Sequence, residues 1–417
     1  MSDIEWIVGI DWGATAHAVC LLDRTGRLEE QRMVEHTSRA LHAFVEGLTT
    51  RSRGALARVA VAIETPRGAL VELLVERGCA VYAINPKQLD RFRDRFTAAG
   101  AKDDRRDARV LADSWRTDPQ AFRRVQLDHP LIVQLREWSR LDDDLGTEVT
   151  RLTNQLCALV YRLSPALLRL CPGADEPWLW AVLTEAPTPQ AQQRLTVRRI
   201  ARLLRDQQVR RLTAADVHAA LQAPAIAVIP GVVDAVTAHY QVVLPRLRLT
   251  VQQRRDATRE LERLLAAYAA ASTSEEDQRE HPDVTILRSM PGVGKRVAAR
   301  MLAEASQPLV ARAYHTLRAL MGVAPVTRQS GKSRTVLMRR ACNTRLRDTA
   351  YHWGRVGIQH DPPSRAYYAA LRARGHSHGR ALRSVVDRSL RILMHLLVRG
   401  ECFNPDHGST AMVATCP

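Results

Sequence analysis

The sequence lacks the features of a membrane or secreted protein. No uninterrupted apolar run approaches the roughly 20 residues that a membrane-spanning helix needs. The N-terminal residues MSDIEW contain neither the basic nor the apolar segment of a signal peptide. The seven cysteines form no CxxC pair and no Cys/His spacing of the zinc-binding kind, and such scattered thiols are typical of a reducing compartment. We therefore expect a cytoplasmic protein with no zinc site and no membrane partner.

Negative charge is scarce relative to positive charge. The chain has 61 Lys and Arg against 44 Asp and Glu, which gives a formal net charge of +17. Such an excess favours a polyanionic partner, because neutralised phosphates release condensed counterions. With 417 residues and 46% hydrophobic content, the chain is long enough for two or three domains with substantial cores. A positive net charge is also typical of ribosome-associated and membrane-surface proteins, so the residue patterns below are needed to distinguish these classes.

Residues 1–125 alternate strand-like and helix-like segments. Three strand-like segments in sequence are followed by strand–helix–strand units, which predicts a mixed α/β sheet with carboxylates at strand ends. This order of elements is the outline of the RNase H-like fold. The predicted strands are residues 5–11, 17–23, 28–36, 58–64 and 79–85, and the predicted helices are residues 38–48 and 68–76.

Four acidic residues occupy informative positions in this region. Asp11 lies in one apolar strand and Glu64 ends another, while Asp104 and Asp107 begin a predicted helix three residues apart. That spacing places the last two on one helix face, whereas Asp103 points about 100° away from Asp104. Clustered carboxylates need a neutralising cation, and hard oxygen ligands favour Mg²⁺ or Mn²⁺. The four residues therefore predict a metal-binding catalytic tetrad that cleaves phosphodiesters.

Other interpretations of these residues remain open. Acidic residues in the first turn of a helix also complement its macrodipole without any metal. The segment IDWGAT, which begins at Ile10, also matches the Asp-x-Gly-x-Thr phosphate loop of actin-like ATPases and sugar kinases. The second phosphate loop and the adenosine loop of those proteins are not evident in the sequence.

Residues 130–275 predict a coiled-coil region. Apolar residues recur at steps of three and four from Leu131 to Leu163, and a less regular seven-residue repeat runs from Leu247 to Tyr268. We expect two antiparallel helices with a helical insert at residues 172–244. A simple spacer and a dimerisation arm fit this pattern equally well. Residues 272–283 predict a linker.

Residues 284–400 predict a mostly α-helical domain, followed by a tail at residues 401–417. The segment from Ser289 to Leu302 resembles a helix-hairpin-helix, in which Lys295 and Arg296 would contact a DNA or RNA backbone. A plain glycine turn between two core helices is the alternative. The next segment, 326–347, lacks acidic residues, and its basic residues predict further nucleic-acid contacts: Arg328, Lys332, Arg334, Arg339, Arg340, Arg345 and Arg347.

Two serine hydroxyls lie within this basic segment. Ser330 and Ser333 flank Gly331 and Lys332, beside cations able to neutralise a phosphate under attack. On chemistry alone, either serine is a candidate nucleophile, and the Ser-Gly-Lys sequence is equally a phosphate-contacting turn.

Both ends of the chain resemble a known family, the DEDD-type transposases of the insertion sequence 110 family, which includes related pilin-gene invertases. The resemblance lies in GIDWGATAHAVCLLD, AIETP and AKDDRRDARVLADSWRTD, and in MPGVGKRVAARMLAE, LMGVAPVTRQSGKS and ACNTRLRDTAYHWGRVGIQHDP. It implies a RuvC-like N-terminal domain whose tetrad binds Mg²⁺. It also implies a C-terminal transposase domain in which Ser330 forms a covalent link to DNA. The tetrad positions fall on Asp11, Glu64, Asp104 and Asp107.

The resemblance further implies partners and an activity. A structured guide RNA would pair with target and donor DNA, and the protein would assemble as a dimer or tetramer. The expected function is that of a DNA transposase or site-specific recombinase that transfers phosphodiesters. The alternatives are a metal-dependent junction resolvase that uses water, a DNA invertase, and a non-catalytic nucleic-acid-binding protein.

Overall fold

The computed structural model describes residues 3–93, 103–125, 128–271, 282–331 and 333–405, without the side chain of Lys87. Most of the predicted linker at 272–283, most of the tail, and Lys332 lie outside these residues. Contacts divide the chain into two compact units, Met1–Asp128 and His129–Pro417. Within the described ranges, no helix is both long enough and apolar enough to cross a membrane.

A six-stranded sheet forms the centre of the first unit, with strand order β3-β2-β1-β4-β5-β6. The first three strands pair antiparallel, β4 and β5 continue parallel to β1, and β6 pairs antiparallel with β5. This confirms the predicted mixed α/β sheet, and the five predicted strands are present within two residues of their expected ends. The strands are β1 Trp6–Asp11, β2 Ala16–Asp23, β3 Leu28–Glu35, β4 Val59–Ile63, β5 Ala80–Ala83 and β6 Arg123–Arg124.

In the described part of this unit, four α-helices accompany the sheet: α1 Ser38–Arg51, α2 Ala69–Glu76, α3 Pro86–Arg93 and α4 Asp104–Thr117. Short 3₁₀ turns cover Leu56–Arg58 and Pro119–Ala121. Helix α3 and strand β6 had no predicted counterpart. Pro86 is the first residue of α3, a position where a missing N–H costs nothing and the fixed φ suits a helix.

Helix α4 lies directly against the middle of the sheet. Alternation along β1 turns Val8 and Ile10 to one core and leaves Ile7 and Gly9 on the other face, which α4 covers. A Cβ atom on Gly9 would lie 1.9 Å from the carbonyl oxygen of Ala108 and 2.6 Å from the nitrogen of Ala112. Only glycine therefore permits this close approach of helix to strand.

We predict that Gly9→Ala destabilises the first unit by about 2 kcal/mol or more, because the added methyl group overlaps the backbone of α4. Gly47→Ala in α1 is the matched control, since no atom lies within 4 Å of its added Cβ. The control should be neutral or stabilise by roughly 0.5–1 kcal/mol. Urea unfolding measures both, and equal stability of the two variants would contradict the packing described.

The second unit is mostly helical, as predicted, and its described residues include a two-stranded hairpin. Its helices are α5 Pro130–Leu163, α6 Ala166–Leu170, α7 Pro177–Glu185, α8 Pro189–Gln193, α9 Val197–Asp206, α10 Ala214–Leu221, α11 Val232–Ala271, α12 Asp283–Ser289, α13 Lys295–Val310, α14 Tyr314–Leu320, α15 Thr344–His360, α16 Pro362–Ala373 and α17 His378–Arg399. Strands β7 Val326–Ser330 and β8 Ser333–Leu337 pair antiparallel.

The long helices α5 and α11 pack antiparallel. Leu156 of α5 shares one core with Leu244 of α11 and helices α6, α7, α9 and α10. Leu135 and Leu264 share another core with helices α12–α15 and α17. Helix α11 begins at Val232 and continues through Pro245, so it starts inside the range expected for the insert. The two long helices thus connect the insert to the C-terminal helices. Coiled-coil geometry and a dimerisation role stay predictions.

Candidate metal centre and nucleic-acid interface

Strands β1 and β4 bring the first two predicted ligands to one edge of the sheet. The strands are parallel neighbours, with Ile10 in register with Ile63. Asp11 ends β1 and Glu64 directly follows β4. Because side chains alternate along a strand, both carboxylates fall on the face that α4 covers.

The start of α4 supplies the other two carboxylates. Asp103 caps the helix, its side chain accepting a hydrogen bond from the backbone nitrogen of Arg105 at 3.2 Å, which leaves it outside the cluster. Asp104 is the first helical residue, and Asp107, one turn later, is only 3% exposed. Burial, together with the negative charges of Asp107, Asp104 and Glu64, raises the pKa of Asp11 to about 6. The structure therefore brings Glu64, Asp104 and Asp107 within electrostatic reach of Asp11.

Arg93 at the end of α3 provides a positive charge in this cluster. Its Nε and Nη2 atoms each donate a hydrogen bond of 3.0 Å to the two carboxylate oxygens of Asp107. Its Nη2 also lies 3.6 Å from Oε2 of Glu64, and its Nη1 contacts Asp90. Sequence reasoning missed this residue, because the alternating Arg and Asp around it give no sign of which side chain reaches the carboxylates.

The donor chemistry of the tetrad fits Mg²⁺ or Mn²⁺, since all four side chains offer hard oxygen atoms and carry more negative charge than Arg93 balances. Among the described residues, no three of these carboxylates have ligand atoms all within 4.8 Å of one another. Arg93 lies against Glu64 and Asp107. Closure around an ion would therefore require these side chains to move away from Arg93.

A second group of possible ligands, Cys171, Asp175 and Glu176, does meet that distance. Glu176 already has other partners, however. Glu176 accepts a hydrogen bond from Nε1 of Trp178 at 3.1 Å and pairs with Arg211, and burial raises the pKa of the Cys171 thiol. We interpret this group as a local link between α6 and α7.

Replacing Asp11 with Asn should stabilise the metal-free protein. The pKa of Asp11 rises on folding from 3.8 to about 6, so its contribution to stability is full below about pH 4 and is lost as the pH rises through 6. We expect Asp11→Asn to raise the Tm in EDTA by about 2 °C or more near pH 8, with a smaller effect near pH 5.

Thermal melts with and without Mg²⁺ complete this test. Mg²⁺ should raise the Tm of the wild type and have little effect on Asp11→Asn. An equal Mg²⁺ response in both proteins would contradict metal binding at this cluster.

Ser330 lies at the tip of the exposed β7–β8 hairpin. It pairs across the strands with Ser333 and ends β7, and the next residue, Gly331, has a φ of +54°, a conformation that favours glycine. Cross-strand partners share a face, so Ser330, Ser333 and Arg328 lie on one face of the ribbon, and Arg334 lies on the other. Nine of the ten strand residues are exposed, which leaves both faces open to a partner.

The predicted nucleic-acid-binding residues have different surroundings. Among the described residues, the side chains of Arg328, Arg334 and Arg340 are exposed and make no ion pair. Arg339 donates a hydrogen bond to the carbonyl oxygen of Ala324 at 3.3 Å. Two of the predicted residues form ion pairs between partly exposed side chains: Arg347 lies 3.9 Å from Asp348, and Lys295 lies 2.9 Å from Glu262.

Arg296 and Arg345 are held by acidic residues of α5 and α13. The Nε atom of Arg296 lies 3.0 Å from Asp142, a carboxylate only 1% exposed, and its Nη2 donates to Thr258 at 2.8 Å. Arg345 lies 2.5 Å from Asp143 and 3.2 Å from Glu304. These two arginines join α13 and α15 to the long helices, a structural role that leaves their guanidinium groups less free for a phosphate.

The predicted helix-hairpin-helix segment is a turn between α12 and α13. Gly292 has a φ of +83°, and a Cβ there would lie 2.8 Å from the nitrogen of Gly357 and 2.9 Å from the carbonyl oxygen of Trp353. The turn therefore packs closely on α15, as a glycine turn between core helices would. Phosphate contact by the start of α13 stays a prediction.

Comparisons with known proteins identify the family of this chain. Residues 8–165 match the family model DEDD_Tnp_IS110, described as a transposase, and residues 284–369 match the transposase IS116/IS110/IS902 family. The "Mini-circle putative transposase for IS117" of Streptomyces coelicolor is 31% identical over 407 residues, covering 95% of this chain and 94% of that protein. The chain belongs to the IS110 family of insertion-sequence transposases.

Two further relatives support the family assignment. The "Insertion element IS110 uncharacterized 43.6 kDa protein" of Streptomyces coelicolor is 28% identical over 405 residues, 95% of each chain. The "Putative transposase y4uE" of Sinorhizobium fredii is 45% identical over 208 residues, but this match covers only 58% of that protein. As an IS110-family transposase, the protein is a DNA-cutting and rejoining enzyme, which confirms the predicted family and enzyme class. The mixed sheet of the first unit is consistent with a DEDD nuclease-like fold, and this type of domain suggests divalent metal use.

The two kinds of arginine in this IS110-family transposase should respond differently to truncation. Arg296→Ala leaves buried Asp142 with Arg254, at 3.5 Å, as its remaining ion-pair partner, so we expect a loss of about 3 kcal/mol in unfolding free energy. Arg334→Ala should change stability by less than about 0.5 kcal/mol and instead weaken DNA binding, with a salt slope reduced by about 1.

Urea unfolding and a DNA-binding titration over a salt series measure these effects. If Arg296→Ala were fully stable but deficient in DNA binding, Arg296 would have the nucleic-acid role that the sequence predicts.

Proposed function

We propose that this transposase cuts and rejoins DNA with a Mg²⁺-binding tetrad in a RuvC-like domain and with Ser330 as the nucleophile. The observation that best supports the metal site is the convergence of four carboxylates at the ends of β1 and β4 and the start of α4, where burial and the neighbouring charges raise the pKa of Asp11. Bringing four carboxylates together costs free energy, because their negative charges repel one another. A bound cation would offset this cost.

Each side chain of the tetrad has a role in the proposal. Asp11, Glu64, Asp104 and Asp107 would hold the ion, which supplies Lewis-acid stabilisation of a phosphate oxygen. Arg93, which donates hydrogen bonds to Asp107, would be free to bind DNA phosphate where a cation balances the carboxylates instead. Trp12, directly after Asp11, is 44% exposed and offers an aromatic face to a base.

Ser330 would carry out the covalent step. Its Oγ attacks a DNA phosphorus, a P–Oγ bond forms, and the bond from phosphorus to the leaving deoxyribose oxygen breaks. The serine proton is lost as the attack proceeds, and the leaving oxygen gains a proton. Attack by a second deoxyribose hydroxyl then reverses these changes and rejoins DNA without external energy. Arg328, on the same face of the hairpin, is suited to neutralise the phosphate.

The proposal includes three classes of partner. Donor and target DNA are the substrates. A structured guide RNA and further copies of this chain, as a dimer or tetramer, are proposed from the family resemblance. The net charge of +17 and the exposed arginines Arg328, Arg334 and Arg340 support a polyanionic partner.

We predict that Ser330→Ala abolishes a covalent protein–DNA adduct that is stable in SDS, with a loss of at least about 1,000-fold. The protein would be expressed beside its native flanking DNA in the presence of Mg²⁺. Ser333→Ala is the matched control, because it removes a hydroxyl from the same cross-strand pair and the same face. Glu64→Gln should also prevent adduct formation while DNA binding persists.

The outcomes of this assay separate the remaining functions. Free DNA ends without an adduct, in wild type and Ser330→Ala alike, would mean that water is the nucleophile and that the protein acts as a junction resolvase. An adduct that survives Ser330→Ala but not Ser333→Ala would move the nucleophile to Ser333. Recombination by Ser330→Ala would refute the serine assignment.

A further inference from the structure

Helix α9 in the insert has a dense arginine surface. Residues 194–211 contain seven arginines and a single acidic residue, Asp206. Ile200, Leu203 and Leu204 are buried in the core of the insert. Arg198, Arg202 and Arg205 follow one another at steps of four and three, so they form one stripe on the opposite, exposed face.

The fold does not use this stripe for internal ion pairs. Two neighbouring arginines do have acidic partners, Arg199 with Glu185 at 2.5 Å and Arg211 with Glu176. The stripe arginines make no side-chain hydrogen bond or ion pair within the described part of the chain; Arg202 influences Glu185 only through its charge. Like charges one helical turn apart destabilise a helix by about 0.2–0.5 kcal/mol per pair. The stripe therefore has an energetic cost that a bound polyanion would remove.

The stripe continues into a cleft between α9 and α10. The cleft has a volume of about 670 Å³, and Arg205, Gln208 and Arg210 contribute to its lining. Arg205 thus belongs to both the stripe and the cleft. Two guanidinium groups and an amide give the cleft hydrogen-bond donors for phosphate and sugar oxygens.

We propose that the Arg198–Arg202–Arg205 stripe and this cleft form a further binding site for the phosphodiester backbone of duplex DNA. The ends of the stripe are seven residue steps apart, roughly 10 Å along the helix axis. Phosphates follow one another at about 3.4 Å along the axis of one strand, so the stripe has the length of about three phosphate spacings. Arginine also suits this ligand better than lysine, because its planar group can bind phosphate in a bidentate manner.

DNA is the chosen partner because it is the substrate of the enzyme family. The inference rests on the proposed function only in this choice, and it requires neither Ser330 nor the tetrad to be catalytic. It gives the helical insert a role, namely to hold a length of DNA backbone while other parts of the protein act on the DNA.

The test compares two triple variants of the full-length protein. The first is Arg198→Ala/Arg202→Ala/Arg205→Ala. The control, Arg151→Ala/Arg259→Ala/Arg263→Ala, removes the same charge from three exposed arginines that each pair with an acidic residue three positions earlier. Binding to a short duplex DNA would be measured over a salt series.

The stripe variant should reduce the slope of log K against log salt by about 2–3, at about 0.9 for each lost phosphate contact, and the control should leave it nearly unchanged. Arg198→Glu alone should lower the slope by about 1 or more. This single variant replaces the triple variant in the test if the triple variant folds poorly. An unchanged slope, an equal change in the control, or a change confined to an RNA duplex of the same sequence would overturn the proposal. The adduct assay, run on the same wild-type protein, shows separately whether the proposed serine chemistry holds.

Discussion

The close contact between α4 and β1 is the constraint on which the candidate metal centre depends. Gly9 lets the backbone of the helix approach the strand, and this approach brings Asp104 and Asp107 to the level at which β1 and β4 end. With a larger residue at position 9, the helix would have to move outward and carry two carboxylates with it. The position of the candidate metal centre therefore depends on backbone packing, which the lack of a side chain at Gly9 permits.

The arginines of the protein fall into two groups, those that pair with internal acidic residues and those that do not. Arg296 and Arg345 are held by Asp142, Asp143 and Glu304, and they stabilise the junction between the long helices and the C-terminal helices. Arg328 and Arg334 of the hairpin, and the stripe arginines of α9, have no such partner among the described residues. The net positive charge indicates a nucleic-acid surface only when the arginines that pair with internal acidic residues are left out. The arginines without such a pair are exposed and accessible to a nucleic acid.

The sequence predicts much of the fold and the tetrad, because both depend on local patterns. Alternating apolar residues located the five main strands, and the spacing of Asp104 and Asp107 identified their shared helix face. Long-range pairing could not be predicted: nothing near Arg93 points to Asp107, and Arg296 meets Asp142, 154 residues away, only after folding. Helix α11 also runs through Pro245, a residue that normally ends or bends a helix, because packing against α5 supports it on both sides. Local rules therefore failed where tertiary contacts outweighed them.

The central claim is that the four carboxylates form a divalent-cation site in which the ion replaces Arg93 as the main counter-charge. A crystal structure of the protein soaked with Mn²⁺, with anomalous scattering used to locate the ion, tests this claim most directly. We predict an anomalous peak among Asp11, Glu64 and the start of α4, with the guanidinium of Arg93 moved away from Asp107. No peak there, with Arg93 still bonded to Asp107 at saturating Mn²⁺, would contradict it.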